Sequence, residues 1–357
     1  WEKWAAVIQR HRIVAALGAT AFILLLAAPA LAMKLSMPDE SAQARGTMGY
    51  ASYSTMADGF GPGFDAPLIV VTNHPAQAAG LETTLAHTPG VTAVTPPVAS
   101  RDGQAAMLIA YPSTGAQDAR TNALANHIED TELPSGAYLT GPNAANVAFA
   151  NLMGSRLPWL IGTVVVLSMV LLLTVFRSVV VAVKAALMNL LSVTAAYGVL
   201  TAVTQWGWGS SVLGFPEKMP VTTWVPVFLF VILFGLSMDY EVFLLSRIRE
   251  SYLDTGDNSA AVARGLANTG RVISAAAAIM VVVFCSFIVT PDVGVKQIGL
   301  GLAAAVLVDA TVVRLVLVPA LMELLGRANW WLPSFRRSRP APIGEVCAPG
   351  RIDKQRL

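Results

Sequence analysis

Residues 222–245 read TTWVPVFLFVILFGLSMDYEVFLL, a predominantly apolar run that contains two carboxylates, Asp239 and Glu241. A helix of about 20 such residues crosses the hydrocarbon core of a bilayer. The run is therefore predicted to be a transmembrane helix that places Asp239 inside the membrane. Glu241 lies two residues further on, on another helix face, and is expected to reach the membrane–water interface.

The composition of the whole chain also points to a membrane protein. Of its 357 residues, 55% are hydrophobic and 13% are charged, whereas an average soluble chain is about 25% charged. A soluble core cannot enclose so much apolar sequence, so lipid must surround part of the chain. The net charge of +2 gives no sign of nucleic-acid binding. The two cysteines and four histidines form no ligand pattern, so neither a cofactor nor a metal is expected.

Five other apolar runs have a similar length, which predicts an α-helical polytopic membrane protein with six transmembrane helices. The six predicted spans are residues 13–33, 157–176, 179–203, 222–245, 272–289 and 298–324. Lys184 lies near one end of the third run, where its long side chain is expected to extend to the lipid headgroups.

The distribution of basic residues predicts the orientation. Most arginines and lysines of the short loops fall on one side, and the cluster Arg336, Arg337 and Arg339 joins them there. Such residues are enriched in cytoplasmic loops, so both termini are predicted to be cytoplasmic in a cell inner membrane. The predicted divisions are a cytoplasmic segment 1–12, a first span 13–34, an extracytoplasmic domain 35–156, five spans within 157–325, and a disordered cytoplasmic tail 326–357.

The extracytoplasmic insert shows alternating strand and helix patterns. Its predicted strands are residues 67–72, 91–95, 105–111 and 137–140, and its predicted helices are residues 76–87 and 116–130. The order βαββαβ predicts an α+β, ferredoxin-like domain. A last helix, 143–155, is expected to lead into span two. In the cytoplasmic loop after span four, Asp257 or Asn258 is predicted to cap a short surface helix that ends at Leu266.

The charged residues that stand out inside the predicted spans are Asp239 in the fourth, and Asp309 and Arg314 in the sixth. Each costs about 2.5–3.5 kcal/mol at the bilayer centre, and such residues are usually functional. A structural alternative is that Asp309 neutralises Arg314. In an α-helix, residues five apart lie about 140° apart around the axis, so these two are not expected to share a face, although they can pair across helices.

The neighbours of Asp239 favour a role in proton transfer. Gly235 lies one turn earlier on the same face and lets another helix approach closely. Tyr240 provides a hydroxyl that can donate to a carboxylate across a helix interface. Burial makes a carboxylate easier to protonate, because only its charged form is costly to desolvate. The protonated and ionised states of Asp239 can therefore favour different helix packings. Uptake of a proton can in this way be coupled to a movement of the helices.

Three stretches resemble the MMPL family, the mycobacterial membrane protein large transporters of the resistance–nodulation–division superfamily. They are FGLSMDYEVFLLSRIRE (234–250), TGDNSAAVARGLANTGRVISAAAAIM (255–280) and LVDATVVRLVLVPALMELLGRANWWLP (307–333). The resemblance implies a proton-driven exporter of lipids, glycolipids or hydrophobic drugs. It also implies two six-span repeats, each with a porter subdomain in its extracytoplasmic insert, of which this chain matches the second.

The resemblance also implies a proton relay that consists of two facing Asp–Tyr dipeptides, one from the fourth span of each repeat. Asp239 and Tyr240 match one dipeptide, with Asp309, Arg314 and Gly235 in support. The partner dipeptide is absent from this sequence. The chain begins with Trp1 rather than Met, and we expect it to be a piece of a longer protein. The expected partners are therefore protons, a lipid or hydrophobic cargo, membrane lipids and the first repeat.

Two other functions stay open at this point. Asp239 and Asp309 lie on different spans, as in intramembrane aspartyl proteases, but the order Asp–Tyr and the intervening fifth span argue against an enzyme. A non-transporting sensor or assembly partner is the other alternative. The presence of both Asp239 and Tyr240 argues against it, and proton-dependent transport would distinguish it from an exporter.

Overall fold

The computed structural model describes residues 2–43, 46–215 and 218–331, and these are mostly helical. Their α-helices are α1 (Glu2–Arg10), α2 (Arg12–Ala27), α3 (Met48–Phe60), α4 (Ala78–His87), α5 (Ala119–His127), α6 (Pro142–Phe176), α7 (Val179–Thr204), α8 (Ser210–Leu213), α9 (Val225–Thr255), α10 (Asn258–Phe287), α11 (Val293–Val308) and α12 (Val318–Leu325). A π-helical segment, Asp309–Leu317, joins α11 to α12.

Six helical segments within the described ranges are long and apolar enough to cross a membrane, which confirms the predicted number. They are span one (Arg12–Ala32), span two (Pro142–Phe176), span three (Val179–Thr204), span four (Val225–Thr255), span five (Asn258–Phe287) and span six (Val293–Trp330). In the most apolar part of spans three and six, 61% and 67% of the residues are buried, against 17% in spans two and five. Spans three and six therefore form the centre of the bundle.

Span three packs closely against span one through Gly198. A Cβ atom at this position would overlap the backbone carbonyl of Leu26 and crowd Ala27. Lipid is as apolar as the side chains around this contact, so close packing rather than removal from water holds the two helices together.

Replacing Gly198 with valine is expected to lower the free energy of unfolding by about 3 kcal/mol, at the upper end of the usual effect of overpacking. The backbone carbonyl of Leu26 cannot rotate away as a flexible side chain can. Thermal unfolding in detergent measures the effect. Gly162→Val is the matched control, because Gly162 lies in span two with open space around its Cβ position. Equal stability of the two variants would contradict the close contact.

The insert between spans one and two contains a small sheet whose core faces two helices. The described strands are β1 (Leu35–Ser36), β2 (Leu68–Thr72), β3 (Val91–Val94), β4 (Val98–Ala99), β5 (Ala106–Pro112), β6 (Ala137–Thr140) and β7 (Val221–Thr222). Four of them lie in the order β3-β5-β2-β6, and all neighbours are antiparallel. Alternate residues of β2 are buried. They pack with Leu81, Leu85 and Ile128, so one face of the sheet is covered.

Several elements differ from those predicted. The predicted helix 143–155 continues without a break into span two as α6. The short cytoplasmic helix predicted to end at Leu266 is instead the first part of α10, which Asp257 caps by accepting from the backbone N–H of Ser259 at 2.9 Å. This helix runs on because Gly265 lets α10 pack directly on Ile248 of span four.

The segments that flank the first and fourth spans also contain structure that the sequence did not indicate. Helix α3 lies ahead of the sheet, and β1 pairs in parallel with β7. At the other end, the predicted tail begins with a packed 3₁₀ turn, Gly326–Trp330, whose Trp330 ring stacks on Tyr252 at 5.0 Å. Residues 332–357, with Arg336, Arg337 and Arg339, lie outside the described residues.

Candidate functional site

Asp239 lies on an outward face of span four rather than inside the helix bundle. The same face carries Gly235, whose Cβ position meets no atom within 4 Å, and four exposed apolar side chains: Phe228, Val231, Ile232 and Phe243. We call these six residues the span-four face. Asp239 is exposed on it and has no hydrogen-bond partner in the part of the chain that the structure describes. None of the described helices of this chain covers this face.

Asp309 and Arg314 form a buried ion pair, contrary to the expectation that they do not share a face. The Nη2 and Nε atoms of Arg314 lie 2.6 and 2.9 Å from Oδ2 of Asp309. The expectation assumed an α-helix, but the segment between them is π-helical. In a π-helix each residue bonds to the residue five positions away, so two side chains five apart lie one above the other.

Hydroxyl groups from two other spans also contact this pair. Ser192 of span three and Ser237 of span four donate to the Asp309 carboxylate at 3.3 and 3.0 Å. Arg314 also donates to the backbone carbonyl of Ser237 at 2.6 Å. Breaking such a buried pair is costly, because the remaining charge is left without compensation. The pair therefore ties spans three, four and six together.

Tyr240 connects the buried pair to the span-four face. Its ring lies beneath the Arg314 guanidinium, 5.1 Å from the ring centroid, which is a cation–π distance. Its hydroxyl lies 3.7 Å from the sulfur of Met280 in span five. Among the described residues, no carboxylate accepts a hydrogen bond from Tyr240. A cavity of about 10 Å³ lies among Ser237, Tyr240, Asp309 and Arg314.

Asp239 and Asp309 do not form a catalytic dyad in this arrangement. Aspartic proteases need two carboxylates that share one proton. Here Asp309 is paired with Arg314, while Asp239 faces away from the bundle. Among the described residues, no group of three or more His, Cys, Asp and Glu side chains is placed to hold a metal ion.

Two further charged residues lie inside the bundle, where the sequence interpretation did not place them. Lys184 and Glu241 are each 5% exposed, so neither reaches the headgroups or the interface. Glu241 lies one turn after Ser237, and Lys184 lies two turns before Ser192. Residues spaced by whole helical turns share a face, so Lys184 and Glu241 lie on the same inward faces as Ser192 and Ser237. This spacing is the feature of the sequence that could have predicted their burial.

A larger cavity of about 850 Å³ lies between the insert that separates spans one and two and the adjacent ends of spans two and six. Among the described residues, its lining contains four carboxylates, Asp39, Glu40, Asp65 and Asp292, and one ammonium group, that of Lys296. Burial, followed by the nearby charges of Asp39 and Glu40, raises the pKa of Asp65 above its usual value. The described part of the lining is therefore acidic, and the magnitude of its negative charge increases as the pH rises.

Replacing Asp65 with asparagine is expected to stabilise the protein at pH 7. The folded state holds the Asp65 proton to a higher pH than the unfolded chain does, so ionisation destabilises the fold as the pH rises above about 4. The melting temperature of Asp65→Asn should exceed that of the wild type at pH 7, and the difference should disappear near pH 4. Asp58→Asn, at an exposed position of α3, is the control. A difference independent of pH would contradict the assignment.

Comparisons with known proteins agree on one group of transporters. The MMPL family matches residues 54–343 of the chain. The heme uptake protein MmpL11 of Mycobacterium tuberculosis is 39% identical over 350 residues, which cover 94% of this chain and 36% of that protein. The mycolic acid-containing lipids exporter MmpL11 of Mycolicibacterium smegmatis is 39% identical over 357 residues, with 94% and 37% covered.

A third relative is the membrane protein YdfJ of Bacillus subtilis. It is 32% identical over 341 residues, which cover 93% of this chain and 47% of that protein. The chain thus spans less than half the length of each of these three relatives.

Proposed function

Because this chain belongs to the MMPL family of membrane transporters, we propose that it is one half of a proton-driven exporter of lipids or other hydrophobic molecules. The observation that carries the proposal is the position of Asp239 on the otherwise apolar span-four face. A carboxylate exposed to lipid costs about 2.5–3.5 kcal/mol. Such a residue needs a covering partner, and it can exchange a proton at the interface with that partner.

The proposed cover is the first six-span repeat of the same family. Gly235 leaves open space one turn from Asp239, and small residues at such positions let helices approach closely. The length of the relatives is compatible with a second repeat, since the chain spans 36% of one MmpL11 and 37% of another. A second copy of this chain is the alternative cover, because each copy would present one Asp–Tyr dipeptide to the other.

In the proposed relay, Asp239 takes up a proton once the partner repeat covers the span-four face. Protonation removes the cost of burying its charge, so each protonation state favours a different packing of the two repeats. Tyr240 would transmit the change, because its neighbour in the sequence is Asp239 and its ring contacts Arg314. The available driving force is about 2.3 kcal/mol per 100 mV and about 1.36 kcal/mol per pH unit.

We further propose that the insert is a ferredoxin-like porter domain outside an inner membrane, with both termini in the cytoplasm. The strand order β3-β5-β2-β6 and the element order βαββαβ support the ferredoxin-like domain. The distribution of arginines among the short loops supports the cytoplasmic position of both termini. Trp206 and Trp208 are exposed at the opposite ends of the spans from Arg177 and Arg247, where they would anchor the outer interface.

The 850 Å³ cavity is the proposed passage for the cargo headgroup. Its volume lies within the range of about 300–1,000 Å³ that is usual for ligand sites, and it lies where the domain meets the outer ends of the spans. Its excess of carboxylates would repel an anionic headgroup. An uncharged or cationic headgroup is therefore the favoured cargo.

Transport by the complete two-repeat protein in liposomes tests this function. A fluorescent lipid with an uncharged headgroup is expected to be exported when a proton gradient is imposed, and the rate should fall to the background when an ionophore collapses the gradient. Export that is unaffected by the ionophore would reject proton coupling. Absence of export for uncharged, cationic and anionic lipids alike would reject the exporter.

A further inference from the structure

Lys184 and Glu241 are buried in the bundle without hydrogen bonds of ordinary geometry to their charged atoms. The described residues offer no such partner to the Lys184 ammonium or to either oxygen of the Glu241 carboxylate. The side-chain amide of Asn189 lies beside Glu241. Buried polar groups usually have hydrogen-bond partners, so two charged groups without them are unusual. Binding a proton at the Glu241 carboxylate would break no such hydrogen bond.

The two residues extend the polar interior of the bundle towards one membrane surface. From Ser237, which contacts Asp309, span four descends one turn, about 6 Å, to Glu241. From Ser192, which also contacts Asp309, span three descends about 12 Å to Lys184. Both directions lead to the ends of the spans that carry Arg177 and Arg247. Lys184 is thus nearer to that surface than Glu241 is.

Charged residues of two other spans lie near Glu241. They are Arg314 and Asp309 of span six and Lys184 of span three. The formal charges of these four residues sum to zero. Adding a proton to Glu241 would leave the positive charge of Lys184 without its balancing negative charge. Protonation of Glu241 therefore changes the charge balance inside the bundle.

A second cavity lies beside Lys184. It has a volume of about 370 Å³, and it lies between spans three and six beside Lys184, Leu321 and Leu325. Its walls are apolar apart from Lys184. The buried polar line therefore ends next to an open space at the arginine-bearing end of the bundle.

We propose that Glu241 is a second proton-binding residue, on the route between Asp309 and the arginine-bearing membrane surface, and that Lys184 is its positioning residue. The inference rests on the proposed proton-driven function. A proton that arrives from the Asp309 side forms an O–H bond at the Glu241 carboxylate. Its release to water at the arginine-bearing surface breaks that bond and restores the carboxylate, so no proton is consumed. Lys184 stabilises the empty, negatively charged state and thereby promotes release.

Three variants of the complete transporter test the role of the pair: Glu241→Gln, Lys184→Met and the double variant. Each single variant leaves one buried charge uncompensated and is expected to reduce the amount of folded protein. The double variant removes both charges and should fold like the wild type. Its gradient-driven lipid export should nevertheless be lower by at least about tenfold, because a proton site is missing.

A merely structural pair predicts a different result. In that case the double variant would export lipid at the wild-type rate, which would overturn the proposal. Glu323→Gln is the matched control: Glu323 is also a buried carboxylate, but it accepts hydrogen bonds from Ser259 at 2.6 Å and from Gln9 at 3.1 Å. This variant should keep its gradient-driven export.

Infrared difference spectra provide a readout that needs neither transport nor the double variant. On acidification the wild-type protein should gain the band of a protonated carboxyl group, and this contribution should be missing from Glu241→Gln but present in Glu323→Gln. Identical bands in the wild type and Glu241→Gln would overturn the assignment of Glu241. If the wild type shows no gradient-driven export, the proposed function fails, and the spectra still decide whether Glu241 binds a proton.

Discussion

Replacing Arg314 with methionine is expected to lower the free energy of unfolding by about 3–5 kcal/mol. The substitution leaves the Asp309 carboxylate buried without its cation, and it removes the bond that Arg314 makes to the backbone carbonyl of Ser237. It also removes the guanidinium from the Tyr240 ring. Thermal unfolding in detergent, together with the yield of folded protein, measures the loss.

The double variant Asp309→Asn, Arg314→Met separates charge balance from packing. With both charges removed, most of the lost stability should return, because neutral side chains of similar volume often replace a buried pair without loss. Arg247→Met is the control, since Arg247 forms a surface pair with Glu250 at 2.9 Å. Such a pair contributes about 0–1 kcal/mol. If Arg314→Met were as stable as Arg247→Met, the buried pair would not hold the spans together.

Replacing Asp239 with asparagine is expected to abolish gradient-driven export while leaving the fold intact. The amide cannot exchange a proton, and loss of a proton-transfer group typically costs about 10²–10⁴-fold in rate. The fold should be unaffected, because no described residue bonds to Asp239. Export by the complete transporter and thermal unfolding of the same preparation measure the two effects.

Asp254→Asn is the matched control for this variant. Asp254 is also an exposed aspartate on α9, but it lies at the end of the helix near Thr255, away from the span-four face. It should retain both export and stability. An Asp239→Asn protein that exports at the wild-type rate would show that the proton passes elsewhere. If Asp239→Asn instead lost both its export and its thermal stability, the result would indicate a structural role for Asp239.

The membrane helices could be predicted because the signals for them are local. The third span was predicted at residues 179–203 and observed at Val179–Thr204. It begins there because Arg177 adopts a left-handed conformation that ends α6, and the Ser178 side chain accepts from the backbone N–H of Val181. Short-range features of this kind are visible in a sequence. The same holds for the alternating pattern of β2 in the sheet of the insert.

The interior of the candidate site could not be predicted because it depends on contacts between spans. The pairing of Asp309 with Arg314 requires a π-helical segment, and no simple pattern distinguishes that segment from an α-helix. Whether Lys184 and Glu241 face lipid or the bundle depends on how spans three and four pack. The outward position of Asp239 likewise follows from which helices this chain supplies.

Cargo-dependent proton movement tests the central claim most directly. The complete transporter is sealed in liposomes that contain a pH-sensitive dye, and an uncharged fluorescent lipid is added under an imposed proton gradient. We predict that the wild type moves protons only when the lipid is present, and that Asp239→Asn moves none. Export of the lipid without any change in the internal pH, or equal proton movement by the wild type and Asp239→Asn, would contradict a proton relay at Asp239.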